Sequence, residues 1–220
     1  MNLEQALERL DTIRDKDAFD DTDIDALKDL SEHHESEVRY FVAEALIGIK
    51  HPQAEGILIA LLSDKNYLVR TNACDSLCTS RNSQTIEFLK KVIVKDKSGL
   101  VRHYAVLSIG DIAVSIKIDR QELLRFLERR LEREKNVHTQ NAFFRTMFML
   151  GDYDKLHCML NQLSNTRYQN RIVAIKNLGE IAGRENKDKI VAELEKLNKI
   201  EKTYAVKSVL QETLDKLTQG

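Results

Sequence analysis

Cys74 and Cys78 stand four residues apart, a spacing that puts both thiols on one face of a helix, where two sulfurs could begin a zinc site. No third ligand is paired with them by spacing. Both also occupy positions where the surrounding pattern calls for a small residue, so buried packing residues are the expectation. His157 beside Cys158 suggests a nucleophile and its base, but adjacent helical residues point apart, so the pair cannot meet. His33-His34-Glu35 precedes a helix and reads as a polar corner rather than a metal site. The chain holds no Gly-rich phosphate loop, no His-Glu-x-x-His and no Ser-centred elbow. The sequence therefore predicts no catalytic residue, no metal, no cofactor and no enzymatic activity.

The elements that carry these residues are helical. Of 220 residues, 42% are hydrophobic and 31% charged, with one proline (Pro52) and no tryptophan, which favours an all-α protein. Net charge is −1, which gives no overall signal for nucleic acid or membrane. The distribution is uneven: residues 1–64 carry 6 Lys/Arg against 16 Asp/Glu, and residues 65–220 carry 28 against 19. An acidic end and a mildly basic body follow. The odd set of three cysteines, a start at Met1 without a basic segment and apolar run, and the lack of an apolar stretch of about 18–20 residues point to a soluble cytoplasmic protein.

Leu3, Leu7, Leu10 and Ile13 make residues 3–15 a one-sided helix. The acidic break Asp17–Asp25 follows, with Asp21 or Thr22 able to cap a helix over 22–32. Then a pattern recurs. Arg39, Arg70 and Arg102 each follow a valine, and small or apolar residues fall three, four, seven and eight positions later: Ala73, Cys74, Leu77 and Cys78 in the second copy. The spacings of 31 and 32 residues imply stacked supersecondary units. Between these helices lie others at 54–63, 84–94, 120–134 and 186–198, so each unit is a helical hairpin. Arg171 continues the series. The pattern is met over 138–150 if Phe143 takes the Arg position, with Gly151 as its last small residue, and near the C-terminus if Lys202 does.

Asp64…Val69-Arg70…Ala73…Leu77 and Asp96…Val101-Arg102…Ala105…Ile109-Gly110 resemble the HEAT-repeat family, particularly the short repeats of bilin-lyase subunits. The resemblance covers residues 22–217, with the period of about 31 shorter than the usual ~40–47. It implies a right-handed α-solenoid of about six hairpins, with residues 1–15 as a capping helix and 1–220 as one domain. It implies too that Arg70 and Arg102 tie adjacent turns through carboxylates such as Asp64 and Asp96. At the same place before the other Arg positions stand His33, Val137, Asn165 and Lys196. In solenoids of this kind the second helices line the concave wall. Its rows one and five residues after each Arg position would then include Tyr40, Thr71, His103, Phe144, Ile172 and Thr203, and Glu44, Asp75, Leu107, Phe148, Lys176 and Lys207.

That wall runs from acidic, through apolar and aromatic side chains, to basic, as a protein-binding groove would; the alternative is a different register over 138–150, with Phe144 or Phe148 as core. The expected partner contacts are Tyr40, Glu44, His103, Leu107, Phe144, Phe148, Lys176 and Lys207. The function expected is a non-catalytic scaffold or adaptor holding a protein partner on the concave face. An auxiliary subunit resembling bilin-lyase HEAT proteins is an alternative. A DNA-binding role resembling the alkylpurine DNA glycosylases conflicts with the missing tryptophan and the acidic Glu44 and Asp75, so neither nucleic acid nor membrane is an expected partner.

Overall fold

A computed structural model describes residues 1–16 and 18–219. Asp17, the first residue of the expected acidic break, and Gly220, the end of the expected domain, lie outside them. The described residues hold helices and no strand, and no helix among them is long and apolar enough to cross a membrane. The fold class is the all-α solenoid of helical hairpins. The chain divides into two compact units, residues 1–118 and 119–220.

In the first unit, α1 (Leu3–Arg14) is closed at its start by a capping box between Asn2 and Gln5 and packs on α2 (Asp21–Leu30) and α3 (Ser36–Ala45). The cap of α2 is Asp20, not Asp21 or Thr22: its carboxylate accepts from the Asp23 N–H, and Asp23 reaches back to the Asp20 N–H. Two further hairpins follow, α4 (Pro52–Leu61) with α5 (Tyr67–Ser76), and α6 (Ser83–Lys95) with α7 (Gly99–Ser115). The second helices α3, α5 and α7 stack in sequence, and the first helices pack outside them. Leu46, Leu77, Leu89, Ile109 and Ile112 are fully enclosed in this core.

The second unit repeats the plan with α8 (Arg120–Leu131) and α9 (Val137–Met149), α10 (Lys155–Gln162) and α11 (Tyr168–Ile181), and α12 (Lys187–Ile200) and α13 (Tyr204–Gln219). Here α11 packs between α9 and α13 over Met159, Ile175, Leu178, Ile190 and Leu210. α9 stops at a glycine with positive φ: Gly151 has φ +110°, its N–H donates to the Phe148 carbonyl, and Asp152 N–H donates to Met147 O. Gly151 is therefore a helix stop, and the small-residue role expected of it does not apply.

One hydrogen-bond pattern sets the register of every second helix. Each begins three residues before a reference side chain: Arg39, Arg70, Arg102, Gln140, Arg171 and Lys207. The residue six before the reference caps the turn by accepting from the backbone N–H two residues on. His33, Asp64, Asp96, Glu134, Asn165 and Glu201 all do so, at 2.7–3.2 Å. The carbonyl of that same residue accepts from the reference side chain in the first five copies, at 2.6–2.9 Å.

This register corrects two sequence assignments. Gln140, not Phe143, takes the Arg position in α9, because its amide reaches Glu134 O as the guanidinium does elsewhere. Phe143 lies three residues on, fully buried in the core. Lys207, not Lys202, takes it in α13. Glu134 and Glu201 accordingly replace Val137 and Lys196 as the turn-capping residues.

Candidate functional site

The arginines tie successive hairpins, with the carboxylate coming from the next turn along. Arg39 Nε and Nη2 donate to Asp64 at 2.6 and 2.9 Å, with both side chains under 8% exposed. Arg70 grips Asp96 at 2.6 and 3.0 Å, and Arg171 grips Glu201 at 2.7 and 2.9 Å. Arg102 holds the Asp96 and Lys97 carbonyls. Burial pushes the Asp64 and Asp96 carboxyls up, but the guanidinium and backbone N–H bonds outweigh it and leave both below the usual value. Glu201 is held near pH 2, first by Arg171, against burial, and then by the Thr203 N–H. Such bidentate pairs, closed on themselves, are joints of the stack rather than sites for a ligand.

The side chains expected on the wall fall in different surroundings. In the first unit Tyr40 and Glu44 of α3 and Leu107 of α7 are half-buried on the second-helix face. Glu44 lies 3.7 Å from Arg14, whose guanidinium sits over the Phe41 ring at 5.8 Å. Asp75 of α5 and Tyr104 of α7 join them. His103 does not: it is 5% exposed, with its ring edge-on to Tyr104. In the second unit, Phe144 and Phe148 leave the wall because the Gln140 register places them four and eight positions along, on the core side. Both pack against the unit's apolar cluster, and Phe148 meets Tyr153 edge-on. Arg145 and Asn141 stand in their rows, with Arg145 Nε on Glu180 at 2.5 Å. Lys176 is exposed on its expected row. Lys207 is exposed at the Arg position instead, and Ser208 and Glu212 fill the rows it was assigned from.

The electrostatic centre of the first unit's face is Asp75. It is half-buried and has no hydrogen-bond or ion-pair partner among the described residues. Burial raises its carboxyl above the usual value, and the neighbouring Asp111 carboxylate raises it further. Tyr104 is raised by burial and by Asp75 and Tyr40, which places both of those side chains within electrostatic reach of it. A half-buried anion beside a second carboxylate and near the Tyr104 phenol is suited to receive a cationic side chain. Sequence reasoning put Asp75 on its row but missed Tyr104, since only the stacking of α5 against α7 brings the second position after Arg102 onto this face.

The thiols play no part in it. Cys74 is fully buried, and burial drives its thiol well above the ordinary range. Cys78 is half-buried in the 3-10 turn after α5, and no group of three metal-ligating side chains occurs among the described residues. His157 faces Asn161 one turn on, 3.2 Å away. The His33 and His34 rings are in contact at 4.3 Å, and His33 lies 3.2 Å from the Met1 carbonyl.

A family model described as HEAT repeats matches residues 24–110 and 55–147. No curated protein matches the chain. Among solved structures, the complex of CpcE and CpcF of phycocyanin lyase from Nostoc sp. PCC7120 overlays with a TM-score of 0.64 at 16% identity, over 98% of this chain and 90% of the other. Human deoxyhypusine hydroxylase in complex with glycerol gives a TM-score of 0.46 at 14% identity, over 100% and 92% of the two chains. An engineered protein gives 0.46 at 16% identity, over 90% and 97%. At these identities the likeness is one of fold.

Proposed function

The chain belongs to the HEAT-repeat family, and on that premise we propose that it is a non-catalytic scaffold that holds a protein partner on the second-helix face of residues 1–118. One observation carries the reading: Asp75 keeps a carboxylate half-buried beside Asp111, with no hydrogen-bond or ion-pair partner among the described residues. A folded chain gains nothing from that arrangement by itself, since a desolvated anion lowers stability. A lysine or arginine from a partner would recover the cost on binding, with Tyr40, Tyr104 and Leu107 supplying apolar and aromatic contact around it.

The test is affinity capture from the native extract with the wild type, Asp75→Lys and Tyr40→Ala. Both substitutions are expected to remove the same captured protein without lowering the melting temperature. Capture that is indifferent to both would move the partner to another face. A second reading, favoured by the overlay on the CpcE–CpcF complex over 98% of this chain, is an auxiliary subunit that works together with a second protein. Co-purification of such a protein, lost in Asp75→Lys, would select it.

A further inference from the structure

The outer side of each unit carries a groove built from the same positions of the repeat, and we propose that these grooves receive acidic amphipathic helices. In the second unit, α10 packs on α9 and α11, and α12 packs on α11 and α13. The space left between α10 and α12 is a groove of about 670 Å³, within the range of cavities that hold a ligand or side-chain cluster. Its floor is Leu160, Leu163 and Leu197, and Ile200 stands at its rim 73% exposed. In the first unit the space between α4 and α6 is a groove of about 320 Å³ over Ile59, Leu62 and Val92. Counted from the reference side chains, Ile59 matches Leu160, Leu62 matches Leu163, and Val92 matches Leu197. The inner end of each is a carboxylate already taken by an arginine, Asp96 by Arg70 and Glu201 by Arg171.

The rims decide the sign of the occupant. Lys91 and Lys196 occupy one equivalent position. Lys91 lies over the Phe88 ring at 5.1 Å, and Lys95 follows it along the same edge. Lys196 pairs with Glu193 at 2.7 Å where both are well exposed, a pairing of little strength, and Lys202 adds a further cation. With Asp96 and Glu201 neutralised internally, each groove has an apolar floor and a net positive rim. Leucine or isoleucine side chains one helical turn apart would enter the floor, and flanking carboxylates would meet the lysines. This surface is separate from the Asp75 face and calls for a partner of opposite charge.

Binding can be read by anisotropy of a labelled synthetic helix of about 14 residues, four turns long, with Leu on one face and Glu on the others. A twin peptide with Lys in place of each Glu serves as the comparison. The full chain is expected to bind the acidic peptide at two sites and the basic twin far more weakly. Ile200→Asp is expected to weaken one site about tenfold or more, the scale of losing an interface anchor. Lys91→Glu combined with Lys95→Glu should remove the other site. All three positions lie outside the core, and unchanged thermal melts will show that the variants fold. Asp75→Asn should leave the peptide affinity unaltered, which keeps this result independent of the proposed partner face. Equal binding of the two peptides, no saturable binding, or indifference to Ile200→Asp overturns the proposal. A concentration-dependent dimer lost in Ile200→Asp would identify the occupant as a second copy of this chain and overturn it as well.

Discussion

Asp75 and Glu201 are both carboxylates on the repeat, and their surroundings push them in opposite directions. Glu201 lies near pH 2 instead of 4.5 because Arg171 and the Thr203 N–H bind its anion. Its contribution to stability is present above about pH 4.5 and is lost as the pH falls toward about 2, and Asp64 and Asp96, lowered from 3.8, follow the same sign. Acid titration of the wild type should therefore show stability falling through this window, and Arg171→Ala should flatten the fall, as read by denaturant midpoints at each pH. Arg39→Ala strands the buried Asp64 carboxylate and is expected to cost about 3–5 kcal/mol at neutral pH. Asp75 has the reverse sign. Its anion is disfavoured in the fold, so Asp75→Asn should raise the melting temperature at neutral pH. The gain should vanish well below pH 3.8, where the carboxyl is protonated folded or unfolded. A variant less stable than the wild type at neutral pH would show that Asp75 is a structural residue.

At the level of helices, the second-helix layer depends on close approach as well as on polar ties. Asn72 Nδ2 donates to the Tyr40 carbonyl between α3 and α5, Ser108 Oγ to Cys74 O between α5 and α7, and Asn177 Nδ2 to Asn141 O between α9 and α11. At Gly179 in α11, a Cβ would lie 2.8 Å from Thr213 Cγ2 of α13, closer than two carbons pack. Gly179→Ala gains helix propensity worth roughly 1 kcal/mol but must displace a β-branched side chain held inside the layer. The expected net effect is a loss of about 1 kcal/mol, recovered when Thr213→Ser removes the obstructing methyl group. Denaturant unfolding of the two single variants and the double variant measures that coupling. Additive effects would mean that the helices move apart freely.

On the scale of the whole molecule, each unit has its own core and its own charge. Residues 1–118 carry 15 Lys/Arg against 20 Asp/Glu, and residues 119–220 carry 19 against 15. Repeats of this kind gain most of their stability from neighbouring units, and three hairpins with a cap make a core large enough to stand alone. The fragment 1–118 is therefore expected to be helical by circular dichroism and to unfold in one cooperative transition. A fragment without a transition would show that its stability depends on residues 119–220.

Much of this was written in the chain. The period of 31 and 32 residues, the spacing of Ala73, Cys74 and Leu77 after Arg70, and Asp64 and Asp96 before Arg70 and Arg102 carry the hairpins and the tie residues, because each follows from local hydrogen bonding and helical geometry. Local spacing could not show which arginine meets which carboxylate. Arg39, rather than Arg70, takes the Asp64 carboxylate, since a guanidinium at the start of one second helix reaches forward to the turn before the next. The register of α9 and α13 was also hidden. An amide in Gln140 and an ammonium in Lys207 replace the guanidinium, while Phe143 matches the apolar spacing well and Lys202 matches it better than Lys207, whose fourth and eighth positions along are Gln211 and Asp215. Only the capped turn, with its bond from Gln140 to Glu134 O, separates the two readings, and it sets Phe144 and Phe148, partly buried, against the apolar cluster of the second unit. The Asp75 face and the paired outer grooves depend on side chains 25 or more residues apart coming together, and it is the stacking of hairpins that determines those neighbours.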